Sequence, residues 1–368
     1  MQPGGRDITA PTLARLPPFR ALRWRRVTPG YVLRVHVAAV CALYALFLAT
    51  AAANETLWRA AGIGVVQNPP FFGHLLITAM SIPLVLMLVR RVAARLSVDR
   101  TSSRRNFIRL LRASRFMTAL YSSAVIVGLF SLAASIVMAA TVRQDIYDAL
   151  WAHPATFTAY TLVRVYQYLL CYPTILVVPV GLAALFFRSL AVGDVRFNPF
   201  AADQLGGLRD DLRAVDRPIY LIQLLATIIV ITNYVGWGGL SVVPAALGLG
   251  AVAAVTAIGV LLHASFSSMV RKLRAREVQK IRDQQALLYE QIRSSGEPGT
   301  SNTRGLVDEI EAGDRLVQMI CRRKSRGWPK YLVNLLIAVV PSLFKLATGD
   351  SLTINGELAA KLLKNLIS

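Results

Sequence analysis

The chain has 368 residues, 55% of them apolar, with a formal net charge of +21. In a soluble protein that basic excess would point to nucleic acid, and three cysteines without a CxxC or Cys/His cluster give no metal or disulfide framework. Six long apolar stretches argue against both a soluble core and nucleic-acid binding, and no cofactor is expected. They run Tyr31–Ala53, Phe71–Val89, Phe116–Ala140, Ala159–Phe187, Ile219–Tyr234 and Val242–Phe266. Crossing a hydrocarbon core takes about 20 apolar residues, whereas a buried soluble helix seldom exceeds 10–14 without polar relief. The fifth stretch reaches that length only with Gly236–Gly239.

Arginine alternates between the connections. Six Arg precede the first stretch (Arg6, Arg15, Arg20, Arg23, Arg25, Arg26) and nine lie from Arg90 to Arg115, while Asn54–Pro70 and Thr141–Thr158 carry one each, Arg59 and Arg143. Read by the positive-inside rule, this sets both termini in the cytoplasm. The expected architecture is all-α: a polytopic bundle of six transmembrane helices in a bacterial inner membrane, with a cytosolic helical hairpin and a short C-terminal helix. An organellar transit peptide fits the Arg-rich leader less well. Ala49–Asn54 resembles a signal-peptidase site, but the long leader fits a retained first helix better.

Residues 1–30 read as a basic cytosolic leader on anionic lipid, and residues 31–268 as the membrane domain. Arg90–Arg115, with Val92, Leu96, Ile108 and Leu111 among its arginines, reads as a basic surface helix or as extensions of spans two and three. The fourth span contains Pro173 and Pro179, which remove helix hydrogen bonds and predict kinks. Arg164 and Gln167 precede them. An intramembrane ionisable residue is a functional candidate by default, so these four residues are the pore or ligand candidates. The bland alternative is that Arg164, about five residues from the outer boundary, snorkels to the headgroups. His36, His74 and His263 lie near span ends, and no predicted span holds an Asp or Glu, which counts against cation-coupled carriage. In span six, Ala246, Gly250 and Ala254 form a small-residue stripe suited to close helix packing within the chain or between copies.

The connection Arg188–Pro218 balances five Arg against five Asp and contains Phe197-Asn-Pro-Phe-Ala-Ala-Asp-Gln-Leu-Gly-Gly-Leu208. Here the chain resembles a group of uncharacterised bacterial six-helix inner-membrane proteins that share [H/N]-P-…-D-x-x-G-G-L and a later Trp-Pro. The matching residues are Asn198, Pro199, Asp203, Gly206, Gly207, Leu208, Trp328 and Pro329. Asn198 stands where His is more usual, which speaks against a metal or acid–base role, and the resemblance brings no activity with it. As local chemistry, Pro199 and the glycine pair form a turn that Asp203 can cap, with ligand binding as the alternative.

Past span six, residues 269–324 read as a hairpin. Val278, Ile281, Gln285, Leu288 and Ile292 form one seam, and Leu306, Ile310, Gly313, Val317 and Ile320 form another, across a linker at Ser294–Arg304. The same seams are compatible with a coiled coil between chains. In residues 325–368, Trp328 reads as an interface anchor, Tyr331–Phe344 as a re-entrant or surface helix too short to span, and Asn355–Ile367 as an amphipathic helix.

No Walker A, GxGxxG, HExxH or GxSxG pattern occurs, so the expectation is not an enzyme, with an intramembrane enzyme as the minor alternative. The main expectation is an oligomeric pore or permeability element, anion-leaning or weakly selective, gated through its cytosolic region. The competing one is a membrane-anchored scaffold or signal relay. The expected partners are the lipid bilayer, a second copy of the chain in a homo-oligomer, and a cytosolic protein; nucleic acid is not among them.

Overall fold

Apolar side chains alone do not make a helix; the backbone does, because every N–H and C=O removed from water needs a partner within its own segment. In the computed structural model the described residues are 8–21, 28–58, 65–67, 69–97, 100–141, 154–193, 195–201, 205–236, 242–294 and 301–322. Among them there is no strand. After two short helices, α1 (Thr9–Leu13) and α2 (Pro17–Ala21), come α3 (Pro29–Ala53), α4 (Pro69–Ser97), α5 (Thr101–Ala113) and α6 (Arg115–Thr141). Then follow α7 (Pro154–Tyr166), a π-helical turn at Gln167–Cys171, α8 (Tyr172–Val192), α9 (Arg209–Gly236), α10 (Val242–Ser294) and α11 (Ser301–Arg322).

Among the described residues four segments are long and apolar enough to cross a membrane: Pro29–Ala53, Phe71–Leu96, Arg115–Ala133 and Pro154–Val192. The two remaining predicted spans coincide with helix in α9 and α10. The segments differ in burial. Of the most apolar stretch of each, 67% is buried in Pro154–Val192 against 11% in Arg115–Ala133. The α7–α8 segment is therefore the centre of the bundle, and α6 turns Phe116, Ile126, Val127, Phe130 and Val137 outward. α8 touches α4, α5, α6, α9 and α10. Its Leu182, Phe186, Phe187 and Leu190 meet Val85 and Val89 of α4, Phe107 of α5 and Phe266 of α10 in the main core.

The arginine-rich end is more built than its composition implies. The leader does not simply lie over lipid: Leu13, Leu16 and Phe19 are buried in the main core. Burial, and then the like charge of Arg112, lower the pKa of Arg15. The Arg90–Arg115 segment divides between both readings of it, since α4 continues to Ser97 and α5 is a separate amphipathic helix with Ser103, Phe107 and Leu111 turned inward. A single carboxylate ties this end together. Asp211, fully buried in the first turn of α9, accepts from Arg95 Nε at 2.9 Å and from Arg100 Nη1 and Nη2 at 2.7 and 3.0 Å. The acid also complements the positive end of the α9 dipole.

α10 runs for 53 residues, and α11 folds back along it. Gln285 Nε2 donates to the Ile310 carbonyl at 2.9 Å and to Asp314 Oδ1 at 3.1 Å. It fits because residue 313 is glycine; a Cβ there would lie 2.7 Å from the amide nitrogen. The expected linker is shorter than drawn, since Ser301–Arg304 belongs to α11. Beyond Gly299 no Gly or Pro interrupts the chain until Gly305, and Ser, Asn and Thr favour a helix start. Residues 295–300 and the whole of 323–368, including Trp328, Tyr331–Phe344 and Asn355–Ile367, lie outside the described residues.

The Asp211 clamp generates a test. Asp211→Asn leaves two guanidiniums facing a neutral amide in a closed site and is expected to destabilise the folded protein by about 3 kcal/mol. Arg95→Gln, which spares the two-pronged Arg100 contact, is expected to cost less than half of that. Chemical unfolding in detergent micelles measures both, and equal losses would show that Arg100 is not the principal partner.

Candidate functional site

The central segment is broken by one residue. Pro173 has no N–H to give to the carbonyl of Leu169 four residues back, and its ring crowds that carbonyl. The chain widens into the π turn at Gln167–Cys171, the kind of bulge that re-aims side chains. The freed Leu169 carbonyl instead accepts from Tyr121 of α6, whose hydroxyl lies 3.1 Å away and also 3.3 Å from Thr174 Oγ1. α6 comes this close because residue 128 is glycine: a Cβ there would meet the Tyr168 ring at 3.1 Å and its carbonyl at 3.2 Å. Pro179 lies further along α8, buried in the core.

The widened turn sends Gln167 into the bundle, where it is fully buried. Its Nε2 donates to Thr78 Oγ1 at 2.8 Å and to the Tyr44 hydroxyl at 3.0 Å. Its Oε1 accepts from Arg164 Nη1 at 2.9 Å and from the Tyr172 hydroxyl at 3.4 Å. Thr78 passes its proton to the His74 carbonyl, and His74 Nδ1 meets the Tyr172 hydroxyl at 2.8 Å. One amide thus joins α3, α4, α7 and α8. A second polar pair lies beside it, His36 Nδ1 and the Tyr166 hydroxyl at 2.7 Å.

Arg164 sits about 15 Å along α7 from Pro154 and does not snorkel. It is 8% exposed and points inward. Its Nη2 donates to the Tyr168 hydroxyl at 3.3 Å, and its guanidinium lies 5.2 Å from the Tyr168 ring centroid and 5.6 Å from that of Tyr160. Ring faces attract a desolvated cation by about 2 kcal/mol each, which offsets part of the loss of hydration. Among the described residues no carboxylate forms an ion pair with Arg164. Of the five N–H donors of a guanidinium, two have partners there. Towards the end of the bundle remote from the arginines, Phe47, Phe71 and Tyr160 close over the cluster, with Phe47 5.6 Å from Tyr160 and 6.1 Å from Phe71 between centroids. Such an arrangement offers hydrogen-bond donors and positive charge. Among the described residues no group of three or more His, Cys, Asp or Glu converges on a metal-sized site.

The other expected positions fall elsewhere. Asn198, Pro199, Gly206 and Gly207 are in the loop before α9. There Asn198 Oδ1 accepts from the Phe200 N–H at 2.9 Å, and Asn198 N–H donates to the Gly206 carbonyl at 3.1 Å. Both glycines have positive φ, 72° and 84°. Asp203 lies outside the described residues. Ala246, Gly250 and Ala254 lie in α10 where side-chain surroundings are not described. Inspection of the sequence singled out Arg164 and Gln167 but missed Tyr44, Thr78 and Tyr172. A usable signal was the four tyrosines crowded around Arg164, at positions 160, 166, 168 and 172. Compared with protein-family models, with curated proteins and with solved structures, the chain has no match in any of the three.

Gln167→Leu strips Tyr44, Thr78 and Arg164 of a shared partner while leaving them buried. It is expected to destabilise by about 3 kcal/mol, because several polar groups lose satisfaction at once. Tyr121→Phe, which removes one donor from one carbonyl, is expected to lose about 1 kcal/mol. Unfolding measured in the same micelles ranks the two; the reverse order would mean that the proline-freed carbonyl, not the amide, holds the centre.

Proposed function

We propose that this chain is a multi-pass protein of the bacterial inner membrane, with α9 and α10 completing six spans and both termini cytosolic. It works without enzymatic chemistry, as an oligomeric permeability element that favours anions, and the Arg164 cluster is its selecting site. One observation carries the reading. A guanidinium at membrane depth, held by an amide and tyrosines with no carboxylate partner among the described residues, keeps its positive charge available to an incoming anion. Neutral tyrosines orient it without cancelling it. The α10–α11 pair is the element through which a cytosolic signal reaches the bundle.

A second reading, a membrane anchor for a cytosolic partner, is favoured by a different observation. α10 extends well past its apolar part, and the α10–α11 pair exposes Leu287, Tyr289, Val307 and Met319. These are side chains that a partner would cover.

Liposomes loaded with a chloride-sensitive dye separate the readings. Wild-type protein is expected to pass chloride in preference to potassium. Arg164→Gln and Gln167→Glu, the first removing the charge and the second neutralising it in place, are each expected to lower chloride flux about tenfold, the scale of one charge-assisted hydrogen bond. Correctly assembled protein that passes no ion supports the anchor. For topology, reporters fused at Arg100 should read cytosolic and at His153 exterior; a cytosolic reading at His153 would overturn the arginine-based orientation.

A further inference from the structure

The described residues of the loop before α9 play no part in the Arg164 cluster, yet two of them, Phe197 and Gly206, are closely fitted. Gly206 adopts a φ of +72°, and a Cβ there would lie 2.2 Å from the Phe197 ring. The ring is thus pinned from one side by a residue that only glycine can be. On the other side, the Arg274 guanidinium stacks 5.2 Å from the Phe197 centroid. What this loop frames is a cleft of about 250 Å³ against the root of α10, lined by Gly193, Val195, Arg196, Phe197, Leu273, Arg276, Glu277 and Lys280. Gly193 packs tightly on α5, since any Cβ would lie 1.9 Å from the buried Ser103 hydroxyl oxygen.

We infer that this cleft binds a phosphate group, its Phe197 wall held in place by the contact with Gly206. Its floor is apolar (Val195, Phe197, Leu273) and its rim is cationic. Among the described lining residues the one carboxylate, Glu277, is engaged by Lys280 at 3.4 Å. Arg196 and Arg276 are exposed and neither forms an ion pair among the described residues, so two planar donor forks line the cleft, a chemistry suited to phosphate oxygens. The volume lies below the 300–1,000 Å³ of pockets that hold drug-sized ligands, which suits a headgroup rather than a nucleotide. Gly193 immediately follows the apolar segment that ends at Val192, so the opening lies at the level of lipid headgroups. There a basic pocket between helices recognises anionic phospholipid. A phosphomonoester on lipid and free phosphate share this chemistry, and the test distinguishes them. The inference stands independently of the anion selectivity assigned to Arg164.

The full chain in dodecyl maltoside is titrated with dioleoyl phosphatidic acid, dioleoyl phosphatidylcholine or inorganic phosphate, and the thermal midpoint is followed to saturation. Phosphatidic acid is expected to raise the midpoint where phosphatidylcholine does not. The double variant Arg196→Gln/Arg276→Gln, both side chains exposed, is expected to bind about tenfold more weakly. Arg271→Gln/Lys272→Gln, on the same helix but outside the cleft, is expected to match wild type. Equal stabilisation by inorganic phosphate, lost in the same double variant, keeps the site and makes a soluble phosphate its ligand. Equal losses in both double variants, or none in either, would reduce the effect to diffuse charge and overturn the inference. So would a wild-type protein that responds to neither phosphate source.

Discussion

A backbone carbonyl in an apolar environment must receive a hydrogen bond from something, and in the central segment the π turn places that requirement at Leu169. Pro173 withdraws the helix's own donor, and the nearest replacement is a tyrosine on another helix. The consequences spread from there. The chain must widen to clear the proline ring, which turns Gln167 towards α3 and α4. α6 must come close enough for Tyr121 to reach, which requires glycine at position 128. Once Gln167 faces inward, its amide is met by side chains from four helices, α3, α4, α7 and α8, and Arg164, one turn earlier, is drawn in with it. A single missing N–H thus decides which polar side chains meet.

Two parts of the molecule use charge differently. At the arginine-rich end a surplus of cations surrounds the fully buried carboxylate of Asp211, which takes both Arg95 and Arg100 and fixes the junction of α4, α5 and α9. Deeper in the bundle the Arg164 guanidinium is kept by neutral partners. The first arrangement is closed electrostatically and suits a joint that should not move. The second is open in charge and, among the described residues, leaves part of its donor capacity unused, a condition that favours recognition over rigidity.

Hydropathy made the helices legible, because backbone satisfaction in an apolar medium leaves few alternatives. Arg164, Gln167 and Pro173 were visible for the same reason, as polar or helix-breaking residues in an apolar run. Their partners were not. Tyr44, Thr78 and Tyr172 are each unremarked in their own helix, and they acquire a role only when α3 and α4, whose contacts lie 123 and 89 residues before Gln167, are laid beside α7 and α8. The docking of the leader was hidden by its arginines, since three apolar anchors, Leu13, Leu16 and Phe19, suffice to seat it. Asp211 was equally hidden within a connection whose acids and bases balance. In the loop before α9, attention to the glycine pair was well placed, but the residue that Gly206 accommodates, Phe197, is defined by contact rather than by spacing.

The length of α10 has a mechanical consequence. From Leu273 to Ser294 the helix continues for about 30 Å past its root in the main core, braced along its side by α11 through Gln285. A braced rod of this kind does not absorb motion by bending. A tilt of about 10° at its root, where Phe266 and Leu273 are packed, carries its tip through roughly 5 Å at that length. Displacements at the root too small to unpack the core thus become displacements at the tip comparable to the width of a side chain. The same leverage runs in reverse, so a modest force at the tip is multiplied where α10 meets α8 and α9.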